Sequence, residues 1–215
     1  MSEPVKRSYD SSRRQEQARL TQRAILAAAH DLFVDRGYGR TTIGDIARAA
    51  GVSPETIYAT FKNKATVLHR TWDVTIGGDD EQVVLHERAE FTAMRAEPDL
   101  ARRLRMYARH FTATARRITP LVLAVQAAAG SEAVAADMLA EMGRQRYAGM
   151  GVLASEAAAT GQLAVPEEEC RDLMWAWTDG TLWYRLVVQR GWSDERFAEW
   201  LASTWTATLV RPAGG

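Results

Sequence analysis

The residues with the most chemistry to offer lie between Thr42 and Lys64. Ser53, Thr56, Tyr58 and Thr60 place hydroxyls along a short segment that opens with Ser53-Pro54-Glu55, the signature of a helix start. Hydroxyls and the free amides of a helix's first turn are natural partners for phosphate oxygens and base edges. The rest of the chain is poor in reactive groupings. It has no glycine-rich phosphate loop, no serine elbow and no paired-cysteine site, so an enzyme is not expected. His86 and Glu90 are one turn apart, but no third metal ligand accompanies them, and a solvated helix face explains them. Asp79-Asp80-Glu81 lacks calcium-loop spacing and reads as acidity at a helix start. Cys170 is the only cysteine and cannot form an intrachain disulfide. Neither a metal nor a cofactor is expected.

Local signals show which elements must carry those hydroxyls. In TIGDIARAAGVSPETIYAT, residues 42–60, Thr42 and Asp45 form a capping box ahead of Ile43, Ile46, Ala47 and Ala50, and Gly51 stops that helix after two turns. Ser53 caps the next helix, and Pro54 sits where no backbone donor is needed. Ala47 permits a close approach, Gly51 a tight turn, and Ile43, Ile46, Val52 and Ile57 converge on one core. The pattern is a helix-turn-helix whose second helix stays exposed for a major groove. A helical hairpin that packs on another protein shares the generic form, but not the alanine, glycine and serine-proline details. Gly44, inside the first of these helices, costs about 1 kcal/mol against alanine without an evident function.

A first helix, with Ala18, Ile25, Ala28, Ala29, Leu32 and Phe33 at helical spacing, ends at Gly37. Asn63 caps a fourth helix that runs to about Ile76, and Gly77-Gly78 marks a hinge. The division predicted is a flexible basic arm at 1–14, a DNA-binding domain with its linking helix at 15–76, and a second domain at 79–215. The formal net charge is zero, but it is unevenly spread. Residues 1–72 carry twelve Lys and Arg against seven Asp and Glu, and all three lysines, so a basic module joins an acidic body. Arg7, Arg13, Arg14 and Arg19 could follow DNA into a minor groove or belong to a solvated tail. The polar start has no apolar stretch of a secretory signal, and no run is long enough to span a membrane, so cytoplasmic residence is expected.

Beyond the hinge the periodicity predicts helices at 80–96, 99–117, 120–129, 131–160, 166–190 and 194–210, with Pro98, Pro120 and Pro166 in first turns and Ser131 and Ser193 as caps. No strand is predicted; the fold class is all-α. Six of the seven tryptophans lie between 175 and 205. The helix from Glu167 is apolar on two faces and needs partners on both, which predicts a homodimer through Leu182, Leu186, Phe197, Leu201, Thr204 and Thr208. Met106, Tyr107, His110, Phe111, Gln126, Met138, Met142, Tyr147, Trp175 and Trp177 supply adaptable and aromatic walls for a pocket, although the same spacing also suits plain core.

The segment RAILAAAHDLFVDRGYGRTTIGDIARAAGVSPETIYATFKNK, residues 23–64, resembles the tetracycline-repressor (TetR) family of bacterial regulators. It has the apolar first helix, the Gly-Tyr turn, the Thr-Thr cap, Ala-Gly-Val-Ser, Ile-Tyr and the terminal lysine in family order. Residues 172–201 resemble the family's last helices more weakly. The resemblance implies an N-terminal three-helix DNA-binding domain and a C-terminal ligand-binding and dimerisation domain. It also implies a repressor of inverted-repeat operator DNA, released when a small molecule, expected here to be apolar or aromatic, displaces the fourth helix. Carried over, it implies that Thr42, Tyr58 and Lys64 grip phosphates, with Lys62 as a further contact, while Ser53, Pro54, Glu55, Thr56, Ala59 and Thr60 lie over bases or backbone. Glu55 departs from the small or basic residue frequent there; it can accept from cytosine N4 or stabilise its own helix. An architectural DNA binder and a helical ligand-binding protein without regulatory role remain alternatives.

Overall fold

The computed structural model describes residues 6–78 and 89–212 of the chain. The expected acidic cluster at 79–81 and His86 lie outside those residues. The helices are α1 (Lys6–Arg36), α2 (Ile43–Ala50), α3 (Pro54–Phe61), α4 (Lys64–Gly77), α5 (Ala89–Ala96), α6 (Leu100–Ala129), α7 (Ala133–Ala158), α8 (Glu167–Trp177), the single turn α9 (Thr181–Trp183) continued by a π-helical segment (Tyr184–Gln189), and α10 (Asp194–Leu209). Among the described residues the fold is all-α, with one isolated antiparallel bridge, Leu163 to Val210, tying the α7–α8 loop to the end of α10. No described helix is long and apolar enough to cross a membrane.

Helices α2, α3 and α4 form where their caps predict. Thr42 Oγ1 accepts from the Asp45 amide at 3.1 Å while the Asp45 carboxylate accepts from the Thr42 amide, a closed capping box. Ser53 accepts from the Thr56 amide, and Asn63 from the Thr66 amide at 2.8 Å. Gly51 takes φ +67° and donates to the Ala47 and Arg48 carbonyls, which ends α2 in a conformation a side chain would strain. Gly78 closes α4 in the same way.

Four sequence expectations are corrected. Helix α1 begins at Lys6, so residues 6–14 extend a helix where a flexible arm was expected. Pro120 lies inside one continuous α6. A proline there forfeits one helical hydrogen bond, but Ile118, Leu121 and Val125 are buried on either side of it and hold both halves in one packing arrangement. Ser131 does not cap α7; its hydroxyl donates back to the Ala128 carbonyl, and Glu132 takes the cap position without a side-chain bond. The helix expected over 166–190 breaks at Gly180, whose φ of +85° turns the chain before α9.

Two apolar cores result. The first gathers Ile25, Ala29 and Phe33 of α1, Ile46 and Ala47 of α2, Ile57 and Phe61 of α3 and Val67, Leu68 and Trp72 of α4. It also includes Ile118, Leu121 and Val125 of α6 and Met138 of α7, so apolar packing crosses the expected hinge. The second joins α5, α6 and α7 to α8 and α10 through Leu104, Ala154, Met174, Phe197, Leu201 and Trp205. Buried Arg103 stitches this half together: its guanidinium donates to the carbonyls of Glu97, Arg95 and Glu156, which satisfies a charge that would otherwise be costly to bury.

Candidate nucleic-acid interface and ligand cavity

Helix α3 is anchored by Ile57 and Phe61, both buried, and its opposite side is open. Ser53, Pro54, Glu55, Ala59 and Thr60 are exposed and Thr56 is half-buried. Tyr58 is 52% exposed although it is a large aromatic, which packing alone does not explain. The Ser53 and Thr56 hydroxyls sit 3.2 Å apart, and Thr60 Oγ1 donates to the Thr56 carbonyl one turn on, so three hydroxyls lie along the first two turns of the helix. The Glu55 carboxyl lies below its ordinary pKa because its own backbone amide, then the Ser53 hydroxyl, donates to it.

Thr42 is exposed at the start of α2, its hydroxyl donating to Asp45 at 2.6 Å. Lys62 is exposed at φ +67°, an unusual conformation for a residue with a side chain, where α3 turns into α4. The Lys64 ammonium donates to the Tyr38 carbonyl at 3.0 Å and lies 4.1 Å from the centre of the Tyr38 ring. It thereby fastens the start of α4 to the α1–α2 turn.

A cavity of about 510 Å³ opens between α4, α5, α6, α7, α8 and α10. Tyr107, His110, Phe111, Gln126 and Met142 line it, as grouped from the sequence. Met106, Met138, Tyr147, Trp175 and Trp177 do not. Met138 is consumed by the first core, and Met106 and Trp177 pack against the second. Tyr147 and Trp175 meet edge to face on the outside, where Arg171 stacks on Tyr147. The sequence grouping missed Trp72 and Ile76 of α4, Arg95 of α5, Thr114 and Ile118 of α6, Arg146 and Met150 of α7, and Trp205 of α10. Trp72 and Ile76 were legible as apolar positions of the fourth helix, but nothing local marks which apolar position borders a void.

The charges on the wall are mostly compensated. Arg95 pairs with Glu156 at 2.8 Å, and His110 Nδ1 lies 2.9 Å from Glu90 while its ring meets Phe91 edge to face. Burial, then the Glu156 charge, pushes the Tyr107 hydroxyl well above its ordinary pKa, so it stays a neutral donor. Arg117, on the turn of α6 between wall residues Thr114 and Ile118, reaches the end of α4: its Nε donates to the Thr75 carbonyl at 3.4 Å and an Nη to that of Ile76 at 3.3 Å. Helix α6, which carries part of the cavity wall, and the helix leading to the reading head thus share a polar link.

The expected dimer residues separate. Phe197 and Leu201 are fully buried within the chain and cannot present an interface; the second core takes the face of α10 assigned to a partner. Leu182, Leu186 and Thr204 are half-buried, Thr208 is exposed, and Val188 is 53% exposed.

Fold and site together define a helical protein with an exposed helix-turn-helix joined to a cavity-bearing bundle. Residues 25–71 match the family described as bacterial regulatory proteins, tetR family. The HTH-type transcriptional regulator TtgR of Pseudomonas putida is 43% identical over 61 residues, 28% of this chain and 29% of that protein. The uncharacterized HTH-type transcriptional regulator YdeS of Bacillus subtilis is 46% identical over 48 residues, 22% of this chain and 24% of its own. The match thus spans about a quarter of these relatives' length. Similarity of fold extends further. A putative transcriptional regulator from Saccharomonospora viridis, solved in complex with choline, superposes with a TM-score of 0.65 at 20% identity, over 89% of this chain and 98% of its own. A SmeT–triclosan complex does so with a TM-score of 0.65 at 20% identity, over 90% and 93%.

Proposed function

We propose that the protein is a homodimeric, sequence-specific DNA-binding regulator acting in the cytoplasm as a repressor, whose grip on an inverted-repeat operator is released by a small molecule in the α4–α10 cavity. The observation that carries the DNA half is the open side of α3: a row of hydroxyls and a half-exposed Tyr58 on a helix whose other side is pinned by Ile57 and Phe61. Ser53, Pro54, Glu55, Thr56, Ala59 and Thr60 would face base edges and backbone, with Thr42, Tyr58, Lys62 and Lys64 on phosphates. Lys64 would act from its anchored position beside Tyr38. Two copies are needed because one short helix reads only half a site, and Leu182, Leu186, Val188, Thr204 and Thr208 remain to join them.

The ligand half is supported by the cavity's position. Trp72 and Ile76 belong both to its wall and to α4, which carries α3 through the Asn63 cap. A molecule that pushes these side chains moves the reading head, so ligand and DNA binding oppose each other by one coupling energy. The deciding experiment is selection of bound sequences from random duplex DNA. An inverted repeat favoured by about a thousandfold or more over random sequence is expected. Uniform binding would instead indicate an architectural protein, and no binding a ligand carrier.

A further inference from the structure

Resting on the reading of this cavity as an effector site, we propose that the effector is an anion with an apolar body, a monocarboxylate whose head group pairs with Arg146. Two arginines and a histidine stand on the wall, and two of the three have a carboxylate partner: Arg95 in Glu156 and His110 in Glu90. Arg146 has no carboxylate at ion-pair distance among the described residues. Its Nη1 donates to the Trp175 carbonyl and, at 3.5 Å, to the Thr178 hydroxyl, and its guanidinium lies 4.8 Å from the centre of the Trp175 ring. Those contacts fix its plane and leave N–H groups unassigned. Burial weakens its hold on the proton, opposed by the charge of Asp179, which also stands on the wall but beyond ion-pair distance. A half-buried, oriented guanidinium without a salt bridge among the described residues fits a planar carboxylate.

The remainder of the wall sets the body. Trp72, Phe111, Val122, Met142, Leu153 and Trp205 offer aromatic and flexible thioether surfaces, with the Tyr107 hydroxyl and Trp205 Nε1 as buried polar groups without a partner. A long neutral molecule would fill this space but leave Arg146 desolvated without compensation. An ammonium-headed molecule would meet a like charge there. The cavity thus selects on head-group charge, while its apolar wall accepts a range of bodies.

The test is calorimetric titration of the full chain with dodecanoate, dodecanol and dodecylamine, each below its aggregation concentration. Dodecanoate is expected to bind about ten- to a hundredfold more tightly than dodecanol. In Arg146→Met that preference should vanish while dodecanol still binds, which also reports an intact cavity; Arg146→Lys should retain part of it. Equal or tighter binding of the alcohol or amine by the wild-type chain, or a preference that survives Arg146→Met, overturns the assignment. If dodecanol binds and releases DNA without any preference for the acid, the proposed function stands and this inference alone falls. If no probe binds while DNA does, the effector-site reading fails with it.

Discussion

Arg117 tests whether α4 is physically tied to the cavity wall. Replacing it with methionine keeps the length of the side chain and its packing against Gly78, whose α-carbon lies close enough that an added methyl group would meet the guanidinium at 3.2 Å. What is lost is a cation on the last carbonyls of α4. Its bonds to Thr75 and Ile76 are long, at 3.4 and 3.3 Å, so each falls at the weak end of charged hydrogen bonds. Adding the favourable placement of a cation at a helix C-terminus, the loss is about 1–2 kcal/mol. For a chain of this size that lowers Tm by about 2–8 °C. Urea and thermal denaturation measure it, and hydrogen exchange locates it: amides in the last turn of α4 should exchange faster while those of α10 do not. Arg116→Met is the control, because Arg116 pairs with Asp194 from a side chain that is 73% exposed and contributes little. A Tm for Arg117→Met within about 1 °C of wild type, or a loss equal to that of Arg116→Met, would refute the link.

Thr42→Ala opens the capping box of α2 and should destabilise the protein by about 1 kcal/mol, read by urea denaturation. Asp45, held below the ordinary carboxylate range chiefly by the Thr42 hydroxyl, then its amide and Arg48, adds stability above its unfolded pKa; that stability is lost as pH falls through the lower folded value, so Asp45→Asn should flatten the acid limb. Burial, then Glu167, pushes the Cys170 thiol from 9.0 to about 11. Because the folded chain keeps this proton longer, stability should fall as pH rises from 9.0 to about 11, and Cys170→Ala should remove that component of the alkaline loss. In Gly180→Ala the new methyl would stand 2.6 Å from Thr119 Oγ1 at φ +85°, a destabilisation of about 1–3 kcal/mol that Thr119→Ala should partly relieve in the double variant.

The sequence alone determined the reading head. Thr42 with Asp45, Ser53 with Pro54, and Asn63 settle their helix starts within three or four residues, and Gly51 ends α2 by the one conformation a side chain resists. Such signals are local, so no knowledge of the rest of the chain is needed to interpret them. The all-α class was legible for the same reason. Tertiary structure decided what local signals leave degenerate. Pro120 marks a helix start in isolation, yet burial on both sides of it keeps α6 whole. The break at Gly180 rotates everything after it, so faces counted from Glu167 do not continue to Leu186. Phe197 and Leu201 have the spacing of an interface and of a core alike, and only the packing of α6 against α10 assigns them to the core. The cavity was the least legible of all. A void belongs to no residue; it is the space six helices fail to fill, and its charge at Arg146 depends on which carboxylates the fold brings to Arg95 and His110 and keeps beyond ion-pair distance of Arg146.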